Sequence, residues 1–172
     1  MGMNNKSDLT ILGLDPGTAT TGWGIIKKTN KGAELVAYGC IETCKTKCAP
    51  DRLKEIADDL LSLIKTHKPD ETAVEDLFFF KNLKTAIKVA QARGVLLLVC
   101  RQQKIPVFEY TPLQIKQGLT GYGRADKNQV QQMVKQIFKL KSIPKPDDAA
   151  DAIAVAICHQ QSRGQMLYTA KS

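Results

Sequence analysis

Histidine is nearly absent from this 172-residue chain, which holds two, and aromatic residues make up only 6% of it. No apolar run approaches the ~20 residues that cross a bilayer, and the polar start Met1-Gly2-Met3-Asn4-Asn5 lacks the apolar stretch of a signal peptide. No basic amphipathic helix with an aromatic stripe stands out, which argues against a membrane surface. Internal repeats, Gly/Ser or Pro linkers and low-complexity tracts are missing as well. A single domain over 1–172 is therefore expected, with an ordered core from about 8 to about 162. The five cysteines (Cys40, Cys44, Cys48, Cys100, Cys158) form an odd set. No CxxC pair or histidine accompanies the first three, which speaks against a zinc site. Reduced cytosolic thiols, with Cys100 and Cys158 in the core, are the simpler reading. His67 and His159 are each expected at a helix C-terminus, where an imidazole suits the macrodipole without any catalytic role. Acids are also in short supply, 17 against 25 Lys and Arg, for a formal charge of +8. That balance points to a polyanionic partner, nucleic acid before membrane.

The few acids stand in unusual places. Asp15 closes the run Leu9-Thr10-Ile11-Leu12-Gly13-Leu14, and Glu75 follows Thr72-Ala73-Val74. Asp148 and Asp151, three apart, open an Ala/Ile/Val helix and project from one face of it. Charges are costly beside core-forming segments, so acids gathered at strand and helix ends suggest a cation site. An all-oxygen set suits Mg²⁺ or Mn²⁺. Each acid also has an ordinary explanation. Asp15-Pro16-Gly17 makes a strand-ending turn, Glu75 an edge residue facing water, and Asp147 and Asp148 helix caps. Asp151 is harder to dismiss, because it lies one turn inside an otherwise apolar helix. A basic surface with a few gathered acids is what a metal-dependent nuclease needs.

Periodicity gives an α/β order. Strands are expected at 9–15, 20–27 and 34–42, with Lys28–Gly32 as a hairpin turn. A helix follows at 50–67, where Leu53, Ile56, Ala57, Leu60, Leu61 and Ile64 share a stripe. Then come a strand at 71–77, a helix at 82–102 and a strand at 106–111. Pro112 suits the first turn of another helix, and helices at 126–140 and 147–161 complete the chain. This order describes a mixed sheet with helices packed on both faces, and it fits the ribonuclease H-like fold.

The segments ILGLDPGTATTGWGII, AVEDLFFFKN, VAQARGV, PVFEYTPLQIKQGLTGYGRADKNQVQQMV and DDAADAIAVAICH closely resemble RuvC-type Holliday junction resolvases. The resemblance runs in order from about Leu9 to His159. It implies a homodimeric endonuclease of bacterial type, cytoplasmic and nucleoid-associated, that nicks two strands of like polarity in a four-way DNA junction. It implies Asp15, Glu75, Asp148 and Asp151 as the catalytic, metal-binding set, with two Mg²⁺ ions per site and Mn²⁺ as a substitute. Two ions about 4 Å apart hold a phosphodiester between them, and in-line attack leaves a 5′-phosphate and a 3′-hydroxyl. Lys116 and Lys127 match lysines acting near the scissile phosphate. Phe78 matches an aromatic that unstacks the junction centre. Lys81, Arg93, Gly123 and Arg124, with Phe78, Lys116 and Lys127, are the expected DNA contacts. A RuvA/RuvB-like branch-migration complex is a further expected partner.

Two departures accompany the resemblance. Phe79 and Phe80 replace smaller or sulfur-containing residues, and Asp147 precedes Asp148 as a possible substitute ligand. Gly118, Gly121 and Gly123 read either as a pliable loop closing over DNA or as an ordinary turn. Three rivals stay open. LDPGTATTGWG also resembles the first phosphate loop of actin/Hsp70-type ATPases, although 172 residues leave no room for the second half of that fold. A branched-DNA binding module would gain nothing from four acids in a phosphate groove. A resolvase-like nuclease acting on RNA or other branched DNA is the third.

Overall fold

The computed structural model describes residues 8–30, 32–77 and 83–169, with side chains as far as Arg163. Strands β1 (Leu9–Asp15), β2 (Thr20–Thr29) and β3 (Gly32–Glu42) pair antiparallel in succession. β4 (Glu71–Glu75) and β5 (Val107–Tyr110) join as parallel strands, giving the order β3-β2-β1-β4-β5. β1 is apolar at nearly every position because it is covered on both sides. Leu9 and Ile11 enter one core, while Leu12 and Leu14 enter the other.

Helices α1 (Ala49–His67) and α2 (Leu83–Gln102) pack on the Leu12/Leu14 face through Ile56, Leu60, Ile64, Ala92, Leu96 and Val99. Helices α3 (Pro112–Thr120), α4 (Lys127–Ile137) and α5 (Asp147–Thr169) cover the opposite face. Cys100 and Cys158 are both buried, one in each core. The mixed sheet with helices on both faces is thus the expected architecture. The boundaries differ mainly at α5, which runs past 161 to Thr169.

α5 lies unusually close to the sheet. A Cβ placed at Gly13 would collide with the Ala152 carbonyl, and one at Gly22 with the Asp148 carbonyl. Ala149, Ala152 and Ala156 of the helix are fully buried. Small residues on both sides let the backbones approach, and the approach brings the start of α5 to the end of β1. Asp15 pairs with Gly22 across the sheet, so the helix N-terminus sits beside Asp15.

One expectation needs correction. His159 does not end a helix: it lies inside α5, completely buried. The stretch 118–123 is a helix end followed by a turn, the second of its two readings. Gly118 belongs to α3, and Gly121 closes that helix in the left-handed conformation, φ 72°. The Thr120 hydroxyl donates to the Lys116 carbonyl (2.8 Å) and accepts from the Tyr122 N–H (3.1 Å), pinning the turn.

Candidate active site

Three elements deliver the acids. Parallel pairing sets Leu14 against Val74, so Asp15 and Glu75 emerge side by side at the C-terminal ends of β1 and β4. Position 15 shares the face of Gly13, and 75 that of Ala73, so both carboxylates point toward α5. α5 supplies Asp148 and Asp151. One oxygen each from Asp15, Asp148 and Asp151 lies within 4.8 Å of the others. Glu75 is hydrogen-bonded to Asp15. The four acids singled out in the sequence therefore share one cluster. Asp147 stands to the side, its carboxylate 2.5 Å from the Lys145 ammonium.

The lysines follow from helix capping. Thr111 caps α3 with a reciprocal Gln114 contact and Pro112 in the first turn; Asp126 and Gln129 do the same for α4. Lys127, at the start of α4, pairs with Asp151 at 2.9 Å and approaches Asp147 at 3.8 Å. Lys116 and Lys127 line a cavity of about 180 Å³ together with Glu75 and Asp151, floored by Ile115, Val130, Ala154 and Val155. A second hollow of about 300 Å³ is lined by Asp15 and Glu75 with Pro16, Leu77, Val89 and Pro112.

Crowding shows in the ionisation. Burial, then the charges of Glu75 and Asp151, push Asp15 up to about 9, so it is a proton donor to Glu75 in this state. Burial, then Asp151, raises Glu75, while the bond from Asp15 and the charges of Lys116 and Lys127 oppose the rise. Burial also raises Asp151 despite its bond to Lys127. Burial works against the Lys127 charge, yet the bond to Asp151 and the charges of Asp147 and Asp148 outweigh it and raise the lysine. A site that must protonate its own carboxylates is short of positive charge. Hard oxygen donors within 4.8 Å of one another and uncompensated negative charge fit divalent cations of the Mg²⁺ kind. Cys40 of β3 pairs with Gly22 of β2; burial, then Asp148 and Glu42, push its thiol up to about 11, which suits a protonated bystander. Cys44 and Cys48 are free and exposed.

The other expected contacts divide. Arg124 is exposed and Gly123 partly so, on the turn between the two lysines. The Arg93 guanidinium is committed to Asp76 and Glu109, with its side chain only 15% exposed. Phe78 and Lys81, and Phe79 and Phe80 with them, lie outside the described residues.

The match to known proteins decides the family. The crossover junction endodeoxyribonuclease RuvC family matches residues 11–159. The chain belongs to that family. A RuvC from Caldicellulosiruptor saccharolyticus is 51% identical over 162 residues, covering 93% of this chain and 97% of the relative. The Thermus thermophilus RuvC structure superposes with a TM-score of 0.85 at 33% identity, covering 91% and 96% of the two chains. T. thermophilus RuvC in complex with a Holliday junction substrate gives 0.83 at 30% identity, with the same coverage. The ribonuclease H-like fold and the nuclease class follow. Among the described residues no helix is long and apolar enough to cross a membrane.

Sequence reasoning missed the clamp on the loop after Asp15. Arg52 donates to the Thr18 carbonyl (2.9 Å) and the Thr43 hydroxyl (2.8 Å), and Thr43 donates to Thr18 in turn. Nothing in local pattern links residue 52 to residue 18. It also missed the partners of His159, since only the fold brings Glu71 and Tyr110 to it.

Proposed function

We propose that this chain is a structure-selective endonuclease that resolves four-way DNA junctions by paired, metal-dependent phosphodiester hydrolysis in recombination and repair. The observation that carries the reading is the convergence of Asp15, Glu75, Asp148 and Asp151 from three elements, flanked by two lysines, in a chain of the RuvC family. Asp15, Glu75, Asp148 and Asp151 would hold two Mg²⁺ ions, with Mn²⁺ as a substitute. Bound there, the cations would activate the attacking water and stabilise the leaving 3′ oxygen.

The protein groups do the rest. Lys127, 2.9 Å from Asp151 and lining the cavity beside Lys116, would offset charge on the scissile phosphate in the transition state. Lys116 faces the same cavity and orients the phosphate. Asp15 must lose its proton before it becomes a ligand. Arg124 and the backbone at Gly123 take the flanking DNA; Phe78 and Lys81 are assigned to the junction centre by sequence resemblance alone.

A two-fold substrate calls for a two-fold enzyme. Leu83, Ile87 and Leu98 fall on one stripe of α2 and are exposed at 73%, 53% and 57%. We assign that stripe to a homodimer interface. Work in the bacterial cytoplasm beside a RuvA/RuvB-like complex is part of the same reading.

The test is cleavage of a synthetic mobile four-way junction with Mg²⁺ or Mn²⁺, mapped strand by strand, with linear duplex and Asp15→Asn as controls. Paired nicks near the crossover, absent on duplex and in the variant, are expected. Tight binding without cleavage under either metal would favour a pure binding module.

A further inference from the structure

At Gly13 and Gly22 the contact between α5 and the sheet is a close backbone approach, and at Gly24 the Ile153 side chain packs against the strand. Apolar packing of this kind is non-directional. Yet the cluster needs α5 at one axial position, because Asp148 and Asp151 ride on the helix while Asp15 and Glu75 ride on the strands.

Directional contacts exist at the far end. His159 Nε2 lies 2.7 Å from Glu71 of β4, and Nδ1 lies 2.7 Å from the Tyr110 hydroxyl of β5. The ring stacks on Phe108 at 4.4 Å between centroids. Arg163, one turn further along α5, donates to both Glu71 oxygens at 3.1 and 3.0 Å. Burial opposes the Glu71 charge, but the bonds from His159 and Arg163 win and hold its carboxyl below the usual range. An ionised Glu71 only accepts, so His159 Nε2 carries a proton and donates to it.

The spacings match. Glu71 and Glu75 share a face of β4 at four residues, ~13 Å of strand. His159 and Asp151 are separated by eight residues of α5, ~12 Å of helix. Helix and strand run in opposite directions, so seating His159 on Glu71 delivers Asp151 to Glu75.

We propose that the Tyr110–His159–Glu71–Arg163 network is a register lock, positioning α5 so that its two acids complete the cation site. His159, Glu71 and Tyr110 are thus positioning residues: they touch neither DNA nor metal and act through Asp148 and Asp151. This deepens the reading of the cluster as a cation site and rests on it.

The test uses the full chain with Tyr110→Phe, His159→Gln and Glu71→Gln, well below each variant's Tm. Mn²⁺ binding is read by electron paramagnetic resonance, Mg²⁺ dependence by junction cleavage, and junction affinity without divalent cation. Leu60→Ala, in the core on the other sheet face, calibrates loss of stability alone. The lock variants should weaken Mn²⁺ and raise half-saturating Mg²⁺ roughly five-fold, short of the tenfold or more that follows loss of a partner bonded directly to a ligand. Metal-free junction affinity should hold, and Leu60→Ala should shift neither metal curve. Tyr110→Phe removes one hydroxyl and keeps the test open if His159→Gln does not fold. Metal curves equal to the parent's, or shifted as far by Leu60→Ala, would overturn the lock. Mn²⁺ binding indifferent to Asp15→Asn would instead overturn the cation site, and the lock with it.

Discussion

Asp15 concentrates the tension of the site in one residue. Burial and the neighbouring acids push it from the ordinary aspartate range, near 4, up to about 9, so the stability it lends the metal-free protein is full below about pH 4 and is lost as pH rises through about 9. Asp15→Asn should therefore stabilise the metal-free protein at pH 8 by about 1–3 kcal/mol while abolishing cleavage, and calorimetry against the parent checks it. In the parent, Mg²⁺ should raise Tm more at pH 8.5 than at pH 6, because the ligand form is the ionised one; the opposite ordering in a thermal-shift series would contradict the assignment. Lys127 should separate two roles. Its ammonium occupies Asp151 at 2.9 Å, competing with cations, yet it faces the cavity where phosphate charge develops. Lys127→Met should lower kcat ~10²-fold and lower, rather than raise, the Mg²⁺ needed for half-maximal rate.

α5 is the element that turns four separate acids into a site. Its first two turns carry Asp148 and Asp151, the stretch through Ile153 packs closely on Gly13, Gly22 and Gly24, and its buried His159 reaches back to β4 and β5. A methyl added under the helix has nowhere to go, since the obstruction at Gly22 is the Asp148 backbone itself. Gly22→Ala should cost about 1–3 kcal/mol by overpacking, read from the urea midpoint, and should depress cleavage more than that loss alone explains. α4 contributes differently: its capping box fixes where the helix starts, and Lys127 is the first residue after Asp126. The helix start aims the lysine.

At the scale of the molecule, charge and symmetry dominate. The +8 formal charge coexists with a focused acidic cleft, so DNA is held by the surroundings and cut at the exception. Junction affinity should fall about 10³-fold between roughly 50 and 200 mM salt, the loss that goes with six or more phosphate contacts, whereas duplex and junction should respond alike if contacts were only diffuse. The exposed stripe on α2 carries the other expectation. Ile87→Glu should shift sedimentation to the monomer and replace paired incisions with single nicks, leaving the carboxylate cluster intact.

Much of this was legible in the chain. Burial of both sheet faces wrote β1 and β4 as apolar runs, and the acids that end those runs marked the cleft, because a charge at a core boundary is expensive unless it has a purpose. Capping chemistry marked the start of α3, since Thr111-Pro112 acts locally. Sequence similarity supplied the family. What the chain alone left open was everything that depends on residues distant in sequence meeting in space. His159 read as a helix end because its partners stand 49 and 88 residues away. The ion pairs of Arg93 with Asp76 and Glu109 are likewise invisible from its own helix. The glycines at 118–123 left loop and turn both open because the Thr120 hydroxyl's contacts across the turn are a matter of geometry. Local patterns select elements and place charges at their ends; only packing decides which charges meet, which are neutralised, and where along the sheet a helix comes to rest.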